Sequence, residues 1–318
     1  MIRILNSEPD NYSNQARAIL NGLGELHEEA CDRRRLIELI PVIDILLVRL
    51  GHRVDAELLN HAERLRAIVT ATTGLTHIDV EAARQRDIRI LCLKGERGFL
   101  DRLTATAELT WALLLGLIRR LPAAHQHVMD GGWDRDQFRG YQLAGKTLGI
   151  IGFGRLGTIL ADYGRAFRMQ VLACDPHVKV VPEWVRRVGQ TELLESSDVV
   201  SLHVHLDPTT HHMLDRSAFA RMRYGAILLN TSRGELVEEA AMLEALESGC
   251  LAGAGLDVLE GEVAKHPDWP RNSSVWRYAR THDNLLLVPH IGGVTQESMA
   301  ETEIFMANKL KRFLQGDS

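Results

Sequence analysis

The residues from Leu148 to Asp175 constrain this chain more than any other segment. Thr147-Leu148-Gly149-Ile150-Ile151 has the apolar character of a buried strand and runs into Gly152-Phe153-Gly154-Arg155-Leu156-Gly157, a GxGxxG. A helical pattern follows through Phe167, then a second strand, Val171–Cys174, closed by Asp175. Each part has a physical task. Gly152 permits a tight turn, Gly154 lets a pyrophosphate approach the backbone, and Gly157 lets the helix pack close to the strand. The helix start at Arg155 and Leu156 presents unpaired N–H groups and the positive end of the helix dipole to the phosphates. Asp175, eighteen residues past Gly157, stands where a carboxylate accepts hydrogen bonds from ribose hydroxyls. The same carboxylate repels an added 2′-phosphate, and no Arg follows it, only Pro176 and His177. The segment therefore implies a dinucleotide, NAD rather than NADP. A GxGxxG alone is weak evidence; strand, motif, helix, strand and acid in register are far stronger. S-adenosylmethionine, whose ribose an acid also holds, is the competing ligand.

The length, 318 residues, favours two lobes over one. Hydrophobic residues at 45% and charged residues at 25% are ordinary for a globular chain. A net charge of -5 argues against a nucleic-acid surface, and Arg33, Arg34 and Arg35 read as part of one helix face. Cys31, Cys92, Cys174 and Cys250 form no CxxC pair and are expected as buried, reduced thiols, which suits the cytoplasm. No signal peptide is evident before the opening strand. The longest apolar run, Leu109–Ile118, falls well short of the roughly 20 residues that span a bilayer, so no membrane partner is expected.

Strand and helix patterns alternate from the start. Strands are expected at Ile2–Leu5, Ile45–Arg49, Ala67–Ala71 and Ile88–Leu93, and helices at Ser13–Leu20, Ala56–Leu65 and Val80–Arg86. Thr104–Leu121 reads as one long helix ended by Pro122, and the strand–helix rhythm restarts near Thr147. The last helix, Thr295–Phe313, is long enough to cross back to the first lobe. The expected fold class is therefore α/β: two Rossmann/flavodoxin-like parallel-sheet lobes with an active-site cleft between them. One lobe comprises residues 1–103 and 290–318, the other residues 104–289.

Three polar residues follow strand patterns in the second half: Arg233 after Ala226–Leu229, Glu262 beyond Gly253–Val258, and His290 after Leu285–Pro289. In a parallel sheet such positions lie on the carboxyl edge, where ligands bind. Here the chain resembles the D-isomer-specific 2-hydroxyacid dehydrogenases. The matching segments are Thr73-Gly74-Leu75-Thr76-His77-Ile78-Asp79, Thr106-Ala107-Glu108-Leu109, the GxGxxG with Asp175, Asn230-Thr231-Ser232-Arg233-Gly234, Gly255-Leu256-Asp257-Val258 and Pro289-His290-Ile291-Gly292-Gly293. Their order and spacing span nearly the whole chain. The resemblance implies that Arg233 binds the substrate carboxylate, that His290 is the acid/base and that Glu262 is its partner, with Glu260 two residues away. It implies that Thr231 and Asp257 contact the nicotinamide side of the cofactor and that Thr106 lies near it. His203 and Gly292 join the residues lining the cofactor, and the amides of Thr73 and Gly74 become further donors to the substrate carboxylate.

The chemistry needs these residue types. Interconverting a 2-keto acid and a D-2-hydroxy acid moves a proton to or from the C2 oxygen, and imidazole titrates in the right range. A neighbouring carboxylate favours its protonated form and sets its orientation. Arg offers a planar fork to the substrate carboxylate. A Rossmann methyltransferase gives no reason for Arg233 and His290. An NAD(H)-sensing corepressor or scaffold on the same fold can keep all three residues, so it stands as the alternative.

The chain departs from the family pattern in places. Val263 follows Glu262 where a proline is usual. His205 replaces a proline and Asp207 a threonine in the segment Ser201–Asp207, and Thr73 replaces a common aliphatic residue. The loop Lys94–Arg102 is long and charged; Lys94 or Arg97 would read the distal part of a polar substrate, unless the loop is simply solvated. The segment Trp269–Tyr278 reads as a lid or an interface loop. The helix Thr104–Leu121 and the loop after it resemble the family's dimerisation arm, so a homodimer is expected. No metal is expected, because His203, His205, His211 and His212 show no ligand spacing with Cys or Asp, and His211-His212 falls in a turn. No further regulatory domain is expected in this length. Glyoxylate, hydroxypyruvate, a branched or aromatic keto acid and a phosphorylated one are all compatible substrates.

Overall fold

The computed structural model describes residues 1–262, 269 and 271–316. They form two compact units, Met1–Leu103 with the chain from Val294 onward, and Thr104–Gly293. The return to the first unit falls at Val294 rather than at residue 290, so His290 to Gly293 belong with the second.

The first unit is built on strands β1 (Arg3–Asn6), β2 (Glu25–Glu28), β3 (Ile45–Val48), β4 (Ala67–Thr70) and β5 (Arg89–Leu91). All pair in parallel in the order β2-β1-β3-β4-β5, the flavodoxin-like arrangement. Every residue of β3 and β4 is buried, as a parallel sheet covered on both faces requires. Strand β2 is absent from the expectations above. It lies at the sheet edge, carries Glu25, His27 and Glu28, and lacks the apolar run that marks its neighbours.

The expected terminal helix forms as Gln296–Gln315. Thr295 caps its start by accepting from the Ser298 amide, and Gly316 (φ 84°) closes it in a left-handed turn. Met306, Ala307 and Leu310 pack with Ile4, Ile45 and Val69, so the chain's end completes the first core. The loop after β5 is not simply solvated. Arg97–Leu100 is a short helix, Phe99 stacks on Phe305 at 4.1 Å, and Lys309 Nζ donates to Cys92 O and Glu96 Oε1. Arg33, Arg34 and Arg35 occupy the first turn of the helix Arg33–Leu39. They pair with Asp55 and Glu57, Glu38, and Glu29 respectively, which uses their charge within the unit.

The second unit is built on β6 (Thr147–Ile151), β7 (Gln170–Cys174), β8 (Val185–Arg187), β9 (Val199–Leu202), β10 (Ala226–Asn230), β11 (Leu251–Leu256) and β12 (Leu285–Leu287). Their order is β12-β11-β10-β9-β6-β7-β8, all parallel, with an apolar core on each face. The chain reverses its direction of travel across the sheet between β6 and β9, the switch point outside which doubly wound sheets bind ligands. Ala105–Ile118 is buried almost all round, in keeping with its apolar composition. It does not run on to Leu121. Arg120 adopts a left-handed conformation (φ 49°) and a new helix, Leu121–Met129, begins. Pro122 starts that helix rather than ending the earlier one, because a first-turn residue needs no backbone N–H.

The four cysteines are unpaired but only partly buried, so the expected full burial does not hold. Among the described residues no helix is long and apolar enough to cross a membrane.

Glu303 is buried to 1% exposure on the terminal helix, where it accepts from the Ser13 amide at 2.6 Å and pairs with Arg49. Removing one member of a buried pair leaves the other uncompensated, so Glu303→Ala should cost about 3 kcal/mol or more. Urea unfolding of the variant beside the parent checks this.

Candidate active site

The carboxyl edge of the second sheet collects most of the residues singled out by the sequence. Gly152 follows β6, Asp175 follows β7, His203 follows β9, Thr231 and Arg233 follow β10, Asp257 follows β11 and His290 follows β12. One sheet edge thus brings together residues more than a hundred positions apart in sequence.

Gly152 has φ 92°, and a Cβ there would lie 2.4 Å from the carbonyl oxygen of His203. A Cβ on Gly157 would lie 2.2 Å from Gly152 O, which is the close helix–strand packing the motif demands. A Cβ on Gly154 would meet no neighbouring atom, so the glycine keeps clear the space over the start of the helix Arg155–Ala166, which opens with Arg155 and Leu156. Asp175 Oδ2 accepts from the Phe153 amide at 2.8 Å, and Oδ1 accepts from the amides of His177 (2.8 Å) and Val178 (3.3 Å). Its two oxygens have about four acceptor positions between them, so capacity remains for a ribose hydroxyl. The cradle and the acid together fit a dinucleotide.

Asp257 is almost wholly buried and organises the far end of the edge. Its Oδ1 accepts from the Ile291 amide at 2.6 Å and its Oδ2 from the Gly292 amide at 2.8 Å, while its carbonyl accepts from the His290 amide. Burial pushes its carboxyl up to about 6, opposed by those two amides and His290 and reinforced by the charge of Glu262. The turn it holds puts His290 in a left-handed conformation, φ 53°. His290 Nδ1 lies 2.5 Å from Glu262 Oε1, and Glu262 Oε2 accepts from the Leu259 amide. Bonding at Nδ1 leaves the imidazole Nε2 available to another partner. Glu260, the other acid considered, lies instead 3.2 Å from His212 Nε2.

Arg233 donates to Ser232 O, and burial lowers its guanidinium from the ordinary range against the opposing charges of Glu262 and Glu235. A guanidinium nonetheless stays charged in proteins. The turn bearing Glu262 packs directly on the chain beyond Arg233. A Cβ on Gly234 would lie about 2 Å from Leu259 C and Glu260 N, so only glycine fits. Thr231 Oγ1 meets Thr110 Oγ1 at 2.8 Å, and Thr110 in turn donates to Thr106 O. Gly292 sits against Asp257 and Thr106, so Thr106, Thr231, Asp257 and Gly292 form one connected wall. Thr110 and Gly234 were not singled out from the sequence. The available signal was a lone hydroxyl one turn beyond Thr106 on an apolar helix and a glycine directly after Arg233.

Some expectations find other partners. Thr73 and Gly74 follow β4, with Thr72 Oγ1 donating to Gly74 O, and Lys94 follows β5 as an exposed residue; all three lie in the first unit. Asp207 spends its carboxylate locally, accepting from Thr209 and Thr210 in a tight turn, which accounts for the irregular loop after β9. Residues Ser274–Ala279, which overlap the segment Trp269–Tyr278, form a helix with Val275 and Tyr278 packed into the core of the second unit. Val263, one of the departures from the family pattern, lies outside the described residues.

Residues 111–292 match the family description "D-isomer specific 2-hydroxyacid dehydrogenase, NAD binding domain". The chain belongs to this family. Its second unit is that NAD-binding domain, and NAD is its cofactor. The chain is 34% identical to a hydroxypyruvate reductase of Thermotoga maritima, over 90% of each chain. It is 36% identical to a glyoxylate reductase of Thermococcus litoralis, over 91% of this chain and 86% of that one. It is 35% identical to the D-3-phosphoglycerate dehydrogenase of Methanocaldococcus jannaschii over its whole length, but spans only 58% of that protein. Among solved structures, D-lactate dehydrogenase of Aquifex aeolicus, complexed with NAD and lactic acid, superposes with a TM-score of 0.85 at 28% identity, covering 99% and 96% of the two chains.

His203 lines the dehydrogenase edge in an uncharged state. Burial pushes its imidazole down to about 4, and Nε2 meets Ser201 Oγ at 2.8 Å. An unfolded histidine titrates near 6.5, so between pH 6.5 and 4 the unfolded chain binds more protons than the folded one. This histidine's contribution is complete above pH 6.5 and is lost as the pH falls towards 4. The stability of the parent should therefore drop across that window by up to about 3 kcal/mol more than that of His203→Gln, read from urea midpoints at each pH.

Proposed function

We propose that the protein interconverts a small 2-keto acid and the corresponding D-2-hydroxy acid with NAD(H). The observation that carries this reading is the 2.5 Å contact of His290 Nδ1 with Glu262 Oε1 on the same sheet edge as Arg233 and the glycine cradle. The T. maritima and T. litoralis relatives, named for hydroxypyruvate and glyoxylate, match at nearly full length and support a small substrate.

Gly152, Gly154, Gly157, Arg155, Leu156 and Asp175 would hold the adenosine and pyrophosphate, and Thr106, His203, Thr231, Asp257 and Gly292 would line the nicotinamide side. When bound, the nicotinamide supplies or removes a hydride equivalent at the substrate's C2. Arg233 holds the substrate carboxylate in a bidentate grip, and its charge draws electron density onto the C2 oxygen. His290 Nε2 gives a proton to that oxygen in reduction and takes it back in oxidation. Glu262 keeps Nδ1 as the donor side of the ring and stabilises the imidazolium. Asp257, through the amides of Ile291 and Gly292, positions His290. We assign the Thr73 and Gly74 amides to the substrate carboxylate by the family resemblance, and Lys94 to distal polar groups of the substrate by its charge.

We further assign a homodimer to the protein. The chain from Leu121 to Tyr141 exposes Leu121, Met129, Trp133 and Tyr141, a concentration of apolar surface that supports association. Sedimentation should give twice the chain mass; a monomer at micromolar concentration would refute the assignment.

The reaction is tested by NADH oxidation against glyoxylate, hydroxypyruvate, pyruvate and 3-phosphohydroxypyruvate, with NADPH in parallel. Turnover with NADH and a marked preference over NADPH are expected. Tight NADH binding without turnover on any keto acid would overturn the reading in favour of an NAD(H) sensor. His290→Ala should lower kcat by about 1000-fold or more while NADH binding stays within a few-fold of the parent. Unchanged kcat would remove His290 from the proton path.

A further inference from the structure

We propose that His211, His212 and Glu260 form a binding site for a borderline divalent transition metal such as Zn²⁺ on the NAD-binding unit. One ligand atom from each of the three lies within 4.8 Å of the others. Among the described residues this is the cluster of His, Cys and carboxylate groups with such geometry. The sequence hides it, since Glu260 stands 48 residues beyond His212 and joins it only through the fold.

Three observations fit a metal here, the first of them fitting an ion pair equally well. First, His212 Nε2 and Glu260 Oε2 are 3.2 Å apart. Two donors about 2.1 Å from one tetrahedral zinc are about 3.4 Å apart, so this pair already spans the edge of a coordination tetrahedron. Second, the two imidazoles are adjacent in sequence yet lie on the same side of the chain, ring centroids 4.0 Å apart and inclined at 33°. The left-handed conformation of His212 (φ 49°) produces this, and the His212 amide holds it by donating to Glu235 O at 2.8 Å. A single carboxylate needs only one imidazole for an ion pair; the second, stacked beside it, suits a shared cation. Third, the surroundings are acidic. Glu239 Oε1 accepts from the Glu260 amide and Glu235 Oε1 approaches the Gly261 amide, so two further carboxylates flank the turn that carries Glu260, and Glu239 feels the charge of His212. Arg233 lies near Glu235 and Glu262, whose charges oppose its own.

The donor set decides the class of metal. Two imidazoles and one carboxylate suit Zn²⁺, Ni²⁺ or Cu²⁺, whereas Mg²⁺ and Ca²⁺ require oxygen ligands. Three protein ligands on a partly exposed surface leave a coordination position for water. The position in the chain suggests a use. Glu260 lies in the turn Leu259–Glu262, and Glu262 is the partner of His290. A metal on Glu260 would stiffen that turn and so restrain the carboxylate that orients the imidazole. This consequence rests on the proposed reaction; metal binding does not.

The test is calorimetric titration of the purified full chain with Zn²⁺ at neutral pH, repeated with Mg²⁺. One Zn²⁺ per chain and no Mg²⁺ are expected. The double variant His211→Gln/His212→Asn, in which Asn accepts the left-handed backbone, should bind Zn²⁺ about 100-fold more weakly, and Glu260→Gln about ten-fold. Cu²⁺ bound to the parent should show nitrogen hyperfine splitting from two imidazoles by electron paramagnetic resonance, and the double variant should lose it. If the double variant fails to fold, Glu260→Gln, a surface change, carries the measurement. Equal Zn²⁺ affinity in parent and variants, or no Zn²⁺ binding by the parent, overturns the proposal. Because the readout is binding, its failure is distinct from failure of the dehydrogenase reading, which is judged by turnover.

Discussion

The hydrogen bonds that the buried Asp257 accepts hold the rest of the candidate site in register. A carboxylate taken out of water must be satisfied, and the amides of Ile291 and Gly292 satisfy it. Those bonds fold the chain after β12 into a tight turn, and the turn gives His290 its left-handed backbone and aims its ring at Glu262. The same turn brings Gly292 against Thr106, which ties in the buried helix Ala105–Ile118. Strand end, His290 imidazole and the wall of Thr106 and Gly292 thus share one anchor.

Close backbone approach does the remaining work. Gly152 lies under the carbonyl of His203, Gly157 under that of Gly152, and Gly234 under the turn that bears Glu262. At each place a methyl group would meet backbone, which cannot step aside as a side chain can. These contacts stitch β6 to β9 and β10 to the loop after β11 at the edge where a parallel sheet presents its strand ends. Arg233 and Glu262 come from adjoining strand ends for this reason.

The turn Leu259–Glu262 is where two sets of interactions meet. On one side Glu262 serves His290; on the other Glu260 faces His212, with Glu235 and Glu239 bound to the turn's amides. Carboxylates two residues apart therefore have different tasks set by what the fold places opposite each. The family relatives vary in named substrate.

By itself the sequence determined the parallel α/β class and the dinucleotide cradle, while its resemblance to the family pointed to Arg233, Glu262 and His290 as candidates. These are encoded locally, in the apolar runs that mark buried strands, in glycines at fixed offsets and in polar residues directly after strands, and local patterns need no tertiary contact to be read. Strand β2 escaped notice because an edge strand needs no apolar run, and the break at Arg120 escaped it because Pro122 is as compatible with a helix start as with an end. What only the tertiary structure decided were the partners. The amides of Ile291 and Gly292 meet Asp257 only in the fold, and Glu260 meets His212 only there. Hydrogen bonds and metal–ligand geometry are satisfied over a few ångströms in space, and separation along the chain carries no record of which groups will meet there.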